Sequence, residues 1–312
     1  MKLKCSPTTL GLLAVVILSS YSPFIKLLLQ WFHPFTIIAV GQVATIVTLL
    51  LVYGLYKEIH KFHTVHTQEI FLLIVMGILS SIIAPMLMLK GLSLSSAING
   101  VLIGRMQPIF LFILSVIILH EKIGVKQCIG ILIMLFGTGW ITTNGYSGNI
   151  TLASGDVLIA LAALLYAGST TVFKKWLTHL NPEMIVLARN TIGAIFFLIV
   201  LPVNTGFTHN IENIYEPNHL LAMVGFAVLT SALGQVLWYS SLQYLSESKT
   251  AFLSLLSPIS GIIFAMILVG ETLNIHHSIG TILIILGLTI SVLHRPKLYD
   301  WRFIHRLGHW HK

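Results

Sequence analysis

The feature that most constrains this chain is a series of ten apolar runs, each close to the length of about 20 residues that a helix needs to cross a bilayer core. They span Thr8–Leu29, Pro34–Leu55, Glu69–Met88, Ser95–Leu119 and Lys126–Thr143, then Ser154–Leu177, Pro182–Val203, His219–Leu245, Thr250–Val269 and His276–Leu293. A soluble domain could not bury them all. Charged residues make up 9% of the 312 and apolar residues 56%, whereas soluble chains carry about 25% charged residues. Soluble, disordered and nucleic-acid-binding chains do not fit. The expected fold is an all-α integral membrane protein of ten transmembrane helices. Lys2 and Lys4 before the first run resemble the start of a signal peptide. That run is too long for such a segment and lacks a small-residue cleavage site, so it is expected to stay as a helix.

Basic residues orient the helices, because cytoplasmic loops collect Lys and Arg. With both termini cytoplasmic, fourteen of the 18 fall inside: Lys2, Lys4, Lys57, Lys61, Lys122, Lys126, Lys174, Lys175, Lys249, Arg295, Lys297, Arg302, Arg306 and Lys312. The outer loops keep one, Lys90, and Lys26, Arg105 and Arg189 lie within spans. An odd helix count would destroy this bias. The net charge of +8 is therefore mostly topological.

The two ends of the chain repeat each other. A shift of 150 residues places Pro108 on Pro258, Glu121 on Glu271, Gly130 on Gly280 and Gly137 on Gly287, without a gap. A shift of 148 pairs Pro34 with Pro182 and Lys26 with Lys174. Two five-helix halves follow, residues 8–143 and 153–294, with a basic cytoplasmic tail over 295–312. Five is odd, so the second half must be inverted relative to the first. Inverted repeats mark secondary transporters, which bind substrate near the midplane between the repeats.

These residues carry a resemblance. Gln107-Pro108, Glu121, Gly130 and Gly137, repeated as Ser257-Pro258, Glu271, Gly280 and Gly287, resemble the pattern of the drug/metabolite transporter superfamily, in particular its EamA-type members. Arg189 after Pro182 fits an arginine of that family, whereas the first half has Gly41 in its place. The resemblance covers about Thr8 to Leu293. It implies a transporter fold with a central cavity and leaves the substrate open among amino acids, sugars, nucleosides and drugs.

Physical roles can be assigned residue by residue. Gly130 and Gly137 share one face of the fifth helix, and Gly280 and Gly287 one face of the tenth, as helix-packing faces require in lipid. Gly100 and Gly104 suit either packing or room for a substrate. Pro108 and Pro258, in mid-span, each remove a backbone hydrogen bond and are expected to kink or hinge the helix. Glu121 and Glu271, at helix ends, suit capping or ion pairing.

Intramembrane charge points to function, because it is costly unless used. Lys26 lies near the outer end of its span, where it can snorkel. Arg105 is ten residues into the fourth run, roughly 15 Å deep, and Arg189 seven residues into its own, about 10 Å deep. The repeat aligns them with Leu255 and Gly41, so the fold itself requires neither charge. For Arg105 two roles stand open, a contact to a substrate carboxylate or phosphate and a gating or interhelical hydrogen bond. Arg189 is expected to be structural first. No Asp or Glu lies in mid-span, which favours facilitated diffusion or exchange over a carboxylate proton relay.

Ser231, Gln235, Trp238 and Tyr239 cluster in the eighth helix, and Gln235, Trp238 and Tyr239 share a face. With Ser81, Pro85, Asn99, Tyr166, Gln42 and Asn190 they suit a zwitterionic or anionic metabolite with an apolar part. The expected substrate-binding set is Arg105, Asn99, Gln235, Trp238, Tyr239, Arg189, Ser81 and Tyr166.

His60, His63 and His66 in one loop, and His305, His309 and His311 in the tail, suggest metal. Without a mid-span histidine they read better as a solvated loop and an interfacial tail with Trp301 and Trp310. Cys5 and Cys128 make neither a disulfide framework nor a metal motif. No cofactor, metal or catalytic residue is expected. The expected partners are a small-molecule substrate and the lipid bilayer, not nucleic acid, with the oligomeric state left open.

The expected function is a secondary transporter working by alternating access, an exporter of amino acids or related metabolites in a bacterial inner membrane. The alternative is transport of phosphorylated or lipid-linked sugars. An intramembrane enzyme is not expected: paired carboxylates, HExxH and a membrane Ser/His pair are all missing from the sequence.

Overall fold

The computed structural model describes residues 7–53, 66–119, 124–143, 145, 154–200, 215–244, 253–254 and 256–293. Lys2, Lys4, the His60 and His63 loop, Glu121, Leu255 and the tail 295–312 lie outside the described residues. Among the described residues the structure is helical, with no strand. The apolar helices are α1 (Thr8–Leu28), α2 (Pro34–Leu51), α3 (Thr67–Ser93), α4 (Ala97–Ile118), α5 (Cys128–Ile141), α6 (Ser154–Leu177), α7 (Pro182–Ile199), α8 (Pro217–Ser241), α9 (Leu256–Val269) and α10 (Ile275–Ile290). Seven are long and apolar enough to cross a membrane; α5, α9 and α10 are shorter over the described residues. Leu132, Phe136, Ile199, Leu221 and Ile267 turn outward and are more than half exposed. Such an apolar exterior belongs in lipid, which makes this a multi-pass membrane protein.

Helix contacts respect the repeat. α3 packs on α6 as α8 packs on α1, α4 on α6 as α9 on α1, and α7 on α3 as α2 on α8. The pairs α2–α7, α4–α9 and α5–α10 join equivalent helices of the two halves. α5 and α10 run against each other along their length through the repeated glycines. A Cβ on Gly137 would come within 3.1 Å of the Gly280 carbonyl oxygen, and one on Gly287 within 2.5 Å of the Gly130 oxygen. The two backbones are close enough that larger residues would force them apart.

The fourth helix changes its winding just before Pro108, where a kink or hinge is expected. α4 is α-helical over Ala97–Ile103, turns through a 3-10 segment at Gly104–Met106, and resumes at Gln107. Pro108 has no N–H to offer the Gly104 carbonyl, so the helix gives way one turn before it. Among the described residues three stretches are π-helical, Ile78–Ile83 in α3, Phe226–Gly234 in α8 and Phe173–Leu177 in α6, and the third has no π counterpart in α1. Shifted by 150 residues, the first falls inside the second and Ser81 falls on Ser231. These two widened turns thus belong to the repeat, and such bulges favour functional positions.

At the end where α4 begins, polar clamps gather the helices. Lys26 of α1 donates through Nζ to the Leu92 and Ser95 carbonyls at 2.7 and 2.5 Å, rather than snorkelling outward. Ser95 donates to Asp156 of α6, which is 3% exposed. Gly270, at φ +71°, ends α9 in a left-handed turn that only glycine adopts readily, and delivers Glu271. The Glu271 carboxylate accepts from the backbone N–H groups of Ala97 and Ile98 at 2.6 and 2.8 Å. Those N–H groups have no partner within their own helix, so Glu271 of the second half caps α4 of the first.

Candidate substrate-binding cavity

A cavity of about 240 Å³ lies between the halves, lined from α1, α2, α3, α4, α6, α7, α8 and the start of α9. Seven of the eight expected substrate-binding residues line it: Arg105, Gln235, Trp238, Tyr239, Arg189, Ser81 and Tyr166. Asn99 does not. Its Nδ2 faces both Asp156 carboxylate oxygens at 3.5 Å, in the clamp that closes around the start of α4. Asn99 and Arg105 are six residues apart, which turns them to different faces and separates them by about 9 Å along the axis.

The two glycines of the fourth-helix pair have separate tasks. A Cβ on Gly100 would meet Leu92 and Ser22, whereas one on Gly104 would meet nothing within 4 Å. Gly100 packs; Gly104 leaves open space beside Arg105.

Arg189 is 8% exposed and held on two sides, with Nε donating to Ser81 Oγ at 3.3 Å and Nη1 to the Tyr239 hydroxyl at 2.8 Å. Gln42 of α2 joins the same node, with Nε2 donating to the Ser81 carbonyl. Arg189 therefore ties α7 to the π turn of α3 and to α8. Its partners are hydroxyls, which orient the guanidinium but leave its charge uncompensated.

Arg105 sits in the 3-10 turn of α4, where its only hydrogen bond among the described residues is a long one, 3.4 Å from Nε to the Val101 carbonyl. Among the described residues, none that lines the cavity is Asp or Glu. The remaining donors of this side chain therefore face the cavity without a counter-ion. A partly buried ion within a membrane span is costly unless water or a ligand meets it.

Three polar atoms on residues around the cavity are sealed from it and unpaired, Gln42 Oε1 lying against Gly193. Gln42 Oε1, Gln235 Oε1 and Ser169 Oγ are buried with no hydrogen-bond partner among the described residues. Tyr21 and Tyr166 meet hydroxyl to hydroxyl at 3.3 Å, and Gln107 Nε2 reaches Thr170 Oγ1 at 3.4 Å. Tyr21, Ser22, Gln107, Ser169, Thr170, Ser254 and Ser257 also line the cavity and were not singled out in the sequence. Tyr21 and Ser22 are a polar pair inside an apolar run, and Gln107 and Ser257 each precede a motif proline. Those were the available signals. Pro258 is buried in the first turn of α9 beside Ser257.

A two-repeat helical membrane fold with a cavity between its halves is that of a transporter. The chain belongs to the EamA-like transporter family, whose description matches residues 7–143 and 153–293. It is 28% identical to an uncharacterized transporter of Synechocystis over 94% of this chain and 88% of that one. It is 30% identical to the uncharacterized transporter YyaM of Bacillus subtilis over 72% of this chain and 74% of that one. A probable amino-acid metabolite efflux pump of Salmonella typhimurium is 27% identical over 61% of this chain and 66% of its own. One crystal structure shares the fold at TM-score 0.66 and 14% identity, covering 96% of this chain and 99% of that one.

Proposed function

We propose that the protein is a secondary transporter that exports amino acids or related small metabolites, with Arg105 as the contact for the acid group of the cargo. The carrying observation is the uncompensated Arg105 guanidinium, set in a 3-10 turn and facing a cavity between the halves. The Salmonella relative named as a probable amino-acid metabolite efflux pump supports the cargo class. Gln235, Trp238, Tyr239, Ser81 and Tyr166 complete the binding set, and Arg189 orients it. Pro108 and Pro258 serve as hinges while the halves rock in a bacterial inner membrane with both termini cytoplasmic. Gly130, Gly137, Gly280 and Gly287 hold α5 against α10 during that motion.

A second reading moves phosphorylated sugars. It is favoured by the two guanidiniums, Arg105 and Arg189, on one cavity. Lipid-linked sugars fit less well, because 240 Å³ is below the range of about 300–1,000 Å³ usual for drug-sized ligands. Purified protein in proteoliposomes, challenged with amino acids, organic acids and sugar phosphates, separates the two. Transport of an acid-bearing metabolite that is lost in Arg105→Ala is the expected result. Full transport of every anionic compound by that variant would remove Arg105 from the site.

A further inference from the structure

Charge around the cavity is one-sided. Arg105 and Arg189 contribute two fixed cations, and among the described residues no lining side chain contributes a carboxylate. The nearby carboxylates are committed elsewhere: Asp156 to Ser95 and Asn99, Glu271 to the start of α4, Glu69 to His179 at 2.6 Å. Hydroxyls hold Arg189 and a carbonyl touches Arg105, so both charges stay unneutralised.

A zwitterion does not relieve this imbalance. Its carboxylate could meet Arg105, but its ammonium would bring a further cation into a poorly screened space that already holds two. What the lining offers instead is uncharged polar groups, the hydroxyls of Tyr21, Tyr166, Ser81 and Ser231 and the amides of Gln107 and Gln235. Such groups can meet a hydroxyl or an amide N–H without adding charge. A cargo that supplies one anionic group and one neutral polar group would answer the two cations without adding a third.

We propose that the cargo is a small organic anion without an ammonium group, a hydroxy acid or N-acylated amino acid, whose acid group binds Arg105 and whose neutral polar group meets the uncharged polar lining. This deepens the transport reading above and rests on it. It divides amino acids from their related metabolites: the deaminated or acylated derivative is the cargo, and the parent amino acid is the poorer ligand.

Matched series test it. Proteoliposomes containing the full chain are assayed by counterflow with leucine, alpha-hydroxyisocaproate, N-acetyl-leucine and leucinol, and with the corresponding phenylalanine and glutamine series. Glycerol phosphate is included to tell carboxylate from phosphate recognition. The same compounds are ranked by thermal shift of the detergent-purified protein. The hydroxy and N-acetyl acids are expected to half-saturate at about tenfold lower concentration than the parent amino acid, with the amino alcohol inert. Arg105→Lys is expected to keep the order of preference, and Arg105→Gln to bring acid and amino acid within about twofold of each other.

Movement of the anion is also expected to carry charge, so that an imposed potassium diffusion potential changes its rate. Equal or tighter handling of the zwitterion in every series would overturn the inference and leave transport standing. Preference for glycerol phosphate over every carboxylate would overturn it in favour of the sugar-phosphate reading. If no compound bound or moved, the transport reading would fall, and this inference with it.

Discussion

Arg105 and Arg189 reach one cavity from opposite halves, yet their surroundings differ completely. Arg189 lies on an unbroken stretch of α7, fixed by Ser81 and Tyr239 and backed by Gln42 on the same serine. Arg105 lies where α4 tightens into a 3-10 turn, with open space beside Gly104 and one long bond to its own backbone. The first arrangement uses a charge to bind three helices into a node. The second presents a charge that no described residue neutralises. Buried polar groups are normally paired, and on the proposed reading the partner of this cation is the cargo.

The largest effect expected from this contrast is on transport through Arg105. A charged hydrogen bond contributes about 1.5–3 kcal/mol, and a guanidinium can make two to one acid group. Arg105→Ala is therefore expected to lower transport efficiency by about 100-fold or more, each tenfold being about 1.4 kcal/mol. Thermal stability should change little, because the side chain holds nothing in place. A variant that unfolded readily while still transporting its cargo would reverse the comparison.

Arg189 should show the opposite pattern. Replacing it with Met keeps much of the volume but removes both charged hydrogen bonds and leaves two buried hydroxyls without their donor. A loss of about 2–4 kcal/mol in stability is expected, read as a lower melting temperature in detergent. Cargo affinity per folded molecule should fall less than in Arg105→Ala. Equal losses of affinity in both variants would make Arg189 a ligand contact as well.

How much of this contrast the sequence carried depends on which residue is asked. The apolar runs, the repeat and the depth of both arginines were legible, because each follows from spacing along one chain. The repeat even supplied a control, since Leu255 and Gly41 stand where the second charges would be. The partners were not legible. That Tyr239 and Ser81 hold Arg189 depends on how α3, α7 and α8 rotate against each other, which periodicity within one helix does not fix. The π turns at Ile78–Ile83 and Phe226–Gly234 were hidden for the same reason. That Asn99 lies outside the cavity has a simpler ground: its helical angle relative to Arg105 turns it to another face.

Tyr239→Phe removes one member of the Arg189 node and sharpens the comparison at lower amplitude. The ring packing against Phe173, at a centroid distance of 4.9 Å, is retained. Only the acceptor for Arg189 Nη1 is lost, and a stability decrease of about 1–3 kcal/mol is expected. Arg189 would then carry a free donor into the cavity, much as Arg105 does. A modest rise in affinity for anionic cargo in this variant would show that holding Arg189 restrains it from binding.

The smallest effect is expected at Gly104. A Cβ there meets nothing within 4 Å, so Gly104→Ala should fold at least as well as the parent, with a gain of up to about 1 kcal/mol from the lost freedom of the unfolded chain. Gly100→Ala is the paired control. Its Cβ would press on Leu92 at 2.5 Å and on Ser22 at 3.3 Å, so it should destabilise unless Leu92 changes rotamer. One methyl group at Gly104 takes space next to Arg105 without touching the protein. If cargo occupies that space, Gly104→Ala weakens the binding of bulky cargo and spares small cargo. Unchanged selectivity together with unchanged stability would mean that the void beside Arg105 is not where the cargo sits.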